Sequence, residues 1–353
     1  MAEIQTYPAK IFIFIPDPQS LLTAGYDSVR LERRKKPSED FALVTKIDPV
    51  TVQAGVYNYF FLDELALKGW EYEPVLQNSA VPGTPVDVRF GITPAVDATF
   101  EKTLTVQELK DIYLYGLEDA LSNDQGIPLP DRVYVHYIQA AIAKFEQKVQ
   151  VRVCPKRFVE KHDWFREDAE TFMFFLTDEF PILNDEDDAT TLPVVELMLP
   201  GQVAQAFPAS WLQLQEDFGQ LHLVPDSSSG ISFSGTQAAN ALRGLRSSKF
   251  IPNAFRLTYF AGFGADNPLP LNIKDVIGKE ASFGPLNIGG DLLGGAGIAS
   301  QSISLDSLSQ SFNTTSSATN AGFGARIIQY TKELKDQYPE LIRTYKGLRM
   351  RVA

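Results

Sequence analysis

The chain has 353 residues, 44% hydrophobic and 22% charged, with a formal net charge of -12. That balance is ordinary for folded globular chains and leaves room for two or three modest domains, while the negative charge argues against a coat for nucleic acid, whose phosphates need cations. The single cysteine, Cys154, excludes an intramolecular disulfide framework and a multi-cysteine zinc site, and its neighbours Val151 and Val153 point to a buried thiol.

Residues 1–40 read as an extended N-terminal arm, interrupted by Pro8, Pro16 and Pro18. The apolar run at residues 11–15 is too short for a signal peptide or a membrane span, and no later stretch approaches the required length. The expectation is a protein made in a host cytoplasm with no membrane partner. The arm ends in the basic cluster Arg30, Arg33, Arg34, Lys35 and Lys36. That cluster is either a contact for a neighbouring subunit or acidic partner, or a solvated charge run in a loose terminus.

Residues 41–100 form a small β-rich domain in this reading. "FALVTKI", "TVQAGVYNYFFL", "WEYEPVL" and "VDVRFGI" are short, rich in Val, Tyr and Phe, and separated by turn residues. A helical core follows. Thr105 and Glu108 make a capping box in which the hydroxyl and the carboxylate satisfy each other's backbone amides, predicting a helix at 105–121. Pro128 and Pro130 break the pattern. Asp131 is a candidate N-cap for a second helix at 131–149, where Tyr134, Ile138, Ala141, Ile142, Phe145 and Val149 form one apolar stripe.

Residues 169–225 return to β, around the acidic loop at 185–188. That loop lacks the glycine and terminal glutamate of a calcium-binding helix-loop-helix. Residues 226–250 read as a long polar loop, followed by helices at 252–262, 270–282 and 325–345. The fold class expected is α+β: a helical core with β-strand insertions and a β-rich N-terminal domain.

The chemistry of an enzyme is not apparent in these patterns. His136, His162 and His222 are isolated, with no pair at zinc-ligand spacing, and there is no G-x-S-x-G nucleophile elbow. "GGDLLGGAG" at 289–297 lacks the lysine and hydroxyl of a phosphate loop, so a turn or a close packing contact is the better account. The reading is no enzyme, no cofactor and no metal. A hydrolase with a dispersed carboxylate site stays open as a less favoured alternative, and so does a host-surface binding module built on the N-terminal domain.

Four stretches together resemble the head-to-tail connector (neck adaptor) family of tailed bacteriophages. One is the helical pair from "LTVQELKDIYLYGLEDAL" to "VQVRVCPK". The next is "LPVVELMLPGQVAQAFPASWLQLQEDFGQLHLVP", with Pro208, Trp211, Gly219 and Pro225 in the family's order. The others are "IPNAFRLTYFAGF…PLNIKDVIGKEAS" and the serine-rich "IASQSISLDSLSQSFNTTSSATNAGFGARIIQYTKELK", in which Ser307 stands after Asp306 where the pattern has glycine. The resemblance covers residues 101–353.

It implies a structural virion protein at the neck: a homo-oligomeric ring, usually matching a twelvefold portal, between the portal protein and a tail or tail-terminator protein. Genomic DNA would pass through its lumen without sequence-specific binding. Another tail or baseplate component is the nearest alternative. Candidate portal, tail or subunit contacts are Arg33, Arg34, Lys35 and Lys36 in the first segment, and Arg343, Lys346, Arg349 and Arg351 at the basic C-terminal end.

Overall fold

In the computed structural model the chain is described over residues 6–35, 39–67, 69–81, 83–117, 121–123, 125–165, 173–184, 191–199, 202–224, 249–264, 267–294, 300–305, 308–313 and 323–346. Helices and antiparallel sheets both contribute, so the fold is α+β. Two compact units divide the chain: Met1–Ala141 with Ile277–Glu333, and Ile142–Val276 with Leu334–Ala353. The chain therefore changes units inside three helices, not at the expected borders near residues 40 and 100.

The first unit begins with strands where the sequence suggested an arm. Strand β1 (Thr6–Phe14) alternates buried Ala9, Ile11 and Ile13 with Lys10 and Phe12, the period of a strand with one face in a core. Pro8 lies at a register shift between Tyr7 and Ala9, a place where a strand tolerates a residue with no amide to donate. Helix α1 (Pro18–Thr23) is capped by the Asp17 side chain and leads to β2 (Ser28–Arg34).

The next strands are β3 (Ala42–Leu43), β4 (Val50–Thr51), β5 (Asn58–Leu67), β6 (Glu71–Gln77), β7 (Val88–Arg89) and β8 (Ala95–Asp97). They make a three-stranded sheet in the order β5-β1-β8, and a five-stranded sheet, β3-β2-β6-β7, with β4 also paired to β2. Both sheets feed one core, which takes Ile11, Ile13 and Phe61 from the first and Val29, Leu31, Tyr72 and Leu76 from the second. Residues 1–40 are thus integral to the β domain.

The capping box forms at Thr105 and Glu108, but the helix it starts is short. Helix α2 (Val106–Glu108) widens into a π turn at Leu109–Tyr113 instead of running to residue 121. Helix α3 (Asp131–Val149) has the expected limits, although Asp131 is its first helical residue, and the Asn58 side chain accepts its amide at 3.0 Å. A hairpin of β17 (Ser300–Leu305) and β18 (Leu308–Asn313) also belongs to this unit.

In the second unit, β9 (Lys156–Phe165), β10 (Met173–Leu176), β11 (Ile182–Leu183), β12 (Val194–Leu199), β13 (Gln202–Ala206), β14 (Leu212–Gln215), β15 (Gln220–Leu223) and β16 (Phe250–Ala261) again form a five-stranded and a three-stranded sheet. Strand β16 is the centre of the larger one, pairing with β9, β11 and β12. The sequence reading made this segment a helix at 252–262. Its period is 2, since Phe255, Leu257, Tyr259 and Ala261 are all buried, and pairing on both edges satisfies its backbone. The smaller sheet, β10-β15-β14, lays Phe175, Leu221 and Leu223 into the same core.

Helix α4 (Leu271–Gly294) runs twelve residues beyond the expected limit of 282, straight through Pro285. Burial of both flanks outweighs the lost hydrogen bond, because Val276, Ile277, Ala281 and Leu286 are fully buried. Residues 289–294 of the glycine-rich stretch are therefore helical. Helix α5 (Gly324–Lys346) closes the described chain on a stripe of Ile327, Leu334, Tyr338 and Leu341.

Candidate interaction surfaces

The cations singled out in the N-terminal segment are mostly engaged inside the chain. Arg33 reaches Asp63 on β5 at 2.6 Å, and its guanidinium stacks 3.8 Å over the Trp70 ring. The Tyr72 hydroxyl donates to the same carboxylate at 2.9 Å. Burial and the Asp63 charge push that phenol well above its ordinary range. Arg34 pairs with Glu71 at 2.7 Å and lies over Phe41. Lys35 is exposed, with its amide donating to Glu39, and Lys36 lies outside the described residues. Arg33 and Arg34 fasten sheets instead of reaching for a neighbour.

Carboxylates that approach one another are bridged by arginines. Glu32 and Glu73 stand directly across from each other on β2 and β6, a repulsive placement. Arg89 bridges both, at 3.0 Å from Glu32 and in contact with Glu73. In the second unit Arg152 joins Glu146 at 2.8 Å to Glu179 at 2.7 Å, and the two carboxylates hold its pKa up against burial. A guanidinium between two carboxylates keeps both ionised, the reverse of the raised pKa a general acid requires.

Glu160 has the most elaborate surroundings. Its Oε1 accepts from the Tyr259 hydroxyl, both oxygens accept from the Asp178 amide, and His162 Nε2 stands 3.3 Å from Oε2. Burial opposes ionisation, but His162 and these donors outweigh it and hold the carboxyl below its ordinary range. Burial and that carboxylate in turn push the Tyr259 phenol up. His222 and His136 lie against Phe174 and Tyr137. Among the described residues no three His, Cys, Asp or Glu are placed to hold a metal ion, and no helix is long and apolar enough to cross a membrane.

Strand faces left open are the more distinctive feature. On β5, Phe60, Leu62 and Leu65 are 51%, 41% and 58% exposed, and Val86, Val88, Phe90 and Ile92 add an exposed alternating run in the same unit. In the second unit Val159 and Val194 flank Thr258 in one cross-strand row, and Phe165 stacks on Phe250 with half of each ring in solvent. Large apolar residues clustered in this way mark surfaces that meet other molecules.

The Pro208, Trp211 and Gly219 pattern takes a definite form. Pro208 begins a 3-10 turn, Ala209–Trp211, that drives Trp211 into the core, and Gly219 turns the chain in the left-handed region at φ +63°. Pro225, the loop from 225 to 248, the acidic residues 185–188, Asp306, Ser307, Arg349 and Arg351 lie outside the described residues. Arg343 is exposed on α5, and Lys346 is that helix's last residue.

No family model and no curated protein matches the chain. Among solved structures, it is similar to a chain in the neck of an empty GTA particle computed with C6 symmetry. The identity is 17% and the TM-score 0.32, over 53% of this chain and 80% of that one. A TM-score at that level is below what a shared fold requires.

Proposed function

We propose that the chain is a structural subunit of a phage-like neck, a connector between portal and tail that works by assembling with copies of itself. The observation carrying this reading is the open apolar face on each unit: Phe60, Leu62 and Leu65 on one, Val159, Phe165 and Phe250 on the other. A chain with two such faces is suited to meeting two neighbours at once through unlike patches, which is how a head-to-tail contact closes a ring. The resemblance of residues 101–353 to neck adaptors supplies the particular assembly. It is supported by the structural use made of Pro208, Trp211 and Gly219.

On this reading the ring matches a twelvefold portal, its lumen passes DNA without sequence-specific contacts, and the C-terminal residues Arg343, Lys346, Arg349 and Arg351 lie near a partner. Electron micrographs of the purified chain, alone and mixed with portal, test the proposal. Closed rings that cap portal particles are expected. Trimers or spikes that ignore portal would replace the connector with a tail or baseplate component.

A further inference from the structure

Most described cations outside α5 are neutralised within the chain: Lys10 by Glu101, Arg30 by Glu32 and Asp87, Lys110 by Asp131, Arg256 by Glu196 and Lys279 by Glu333, besides the arginines above. Helix α5 differs. Lys332, Lys335 and Arg343 are exposed, and among the described residues none of them has an ion-pair partner. At about 100° per residue the three fall within roughly 80° of arc, turned away from the buried stripe of Ile327, Leu334, Tyr338 and Leu341. Asp336 and Glu340 fall outside that arc, so the basic residues form a stripe of one sign.

We infer that this stripe docks on an acidic surface of a second copy of the chain. Charge complementarity selects that occupant. Residues 326–353 hold 7 of the 32 cations and 3 of the 44 anions, which leaves 25 cations against 41 anions in the rest of the chain. A neighbouring copy therefore offers an excess of carboxylate that the stripe can neutralise, and exposed charges of opposite sign steer and orient association. The inference rests on the ring reading and adds a contact that salt weakens.

The test compares the full-length wild type with the triple variant Lys332→Glu, Lys335→Glu, Arg343→Glu and its neutral counterpart, all three to Gln. Sedimentation velocity is run from about 0.05 M to about 0.5 M salt, where the Debye length shrinks severalfold, with circular dichroism to verify α5. The wild-type assembly should loosen at least tenfold across that range. The Gln variant should be intermediate, and the Glu variant weak throughout and insensitive to salt. Equal salt dependence in all three overturns the inference but leaves the ring reading standing. A wild type that stays monomeric at every salt overturns both. Duplex DNA retained by the wild type and lost by the Glu variant, with assembly unchanged, would assign the stripe to phosphate and overturn the inference.

Discussion

The two units share an arrangement, a three-stranded sheet and a five-stranded sheet on one core, yet they fill and fasten it differently. The first packs aliphatic side chains such as Ile11, Ile13, Val29 and Leu31, and ties its sheets with a buried Asp63 held by Arg33 and Tyr72. The second packs rings, with Trp164 on Phe255, Phe175 on Phe255 and Phe207 beside Trp211. Stability in the second should therefore follow volume, and in the first it should follow the integrity of one polar junction. The chain's three tryptophans report on this separately: Trp70 lies in the first unit, Trp164 and Trp211 in the second.

The largest effect is expected from Trp211→Ala, which empties a ring-filled core and should cost about 3–5 kcal/mol. In urea unfolding, the transition followed by Trp164 should move and that followed by Trp70 should not. Equal movement of both would mean the units unfold as one.

Asp63→Ala should cost about 3 kcal/mol, because Arg33 and the Tyr72 hydroxyl lose their shared acceptor. Pairing Asp63→Leu with Arg33→Met should recover most of that loss. A single substitution as mild as an exposed one would show that the junction is not what ties the sheets.

Gly278→Ala sharpens the contrast within the first unit. A Cβ there would meet the Tyr113 ring at 2.1 Å. Alanine favours helices by about 1 kcal/mol over glycine, but overpacking should reverse the sign and cost about 1–3 kcal/mol. A rise in melting temperature would contradict the close approach.

The smallest effect concerns acid. Glu160 has its folded-state pKa depressed, so its contribution is present above the unfolded pKa and is lost as pH falls through the folded value. Glu160→Gln should flatten the acid side of the stability profile in the second unit and leave the first unit's profile unchanged.

Local signals in the sequence were reliable where the residues that matter are neighbours. The capping box of Thr105 and Glu108, the apolar stripe of α3 and the extent of α5 all depend on contacts within a few residues. Longer-range arrangements were not legible. Pro8 disguised β1 because only its partner β5 fixes the register shift there. Strand β16 resembled a short helix because the pairing on both edges comes from segments far away in sequence. Helix α4 continues past Pro285 through burial on all sides, including Gly284, where a Cβ would meet the Tyr137 ring. The same reason hid the fate of Arg33 and Arg34, whose partners lie 30 and 37 residues onward. In contrast, the unpaired basic residues of α5 were visible as an excess of cations near the C-terminal end.

Native mass spectrometry of the intact chain tests the central claim most directly. The account predicts one closed oligomer of fixed stoichiometry, whose mass is a whole multiple of the subunit and does not grow with concentration. A stable monomer at every concentration, with Phe60, Leu62, Phe165 and Phe250 still open to solvent, would contradict it.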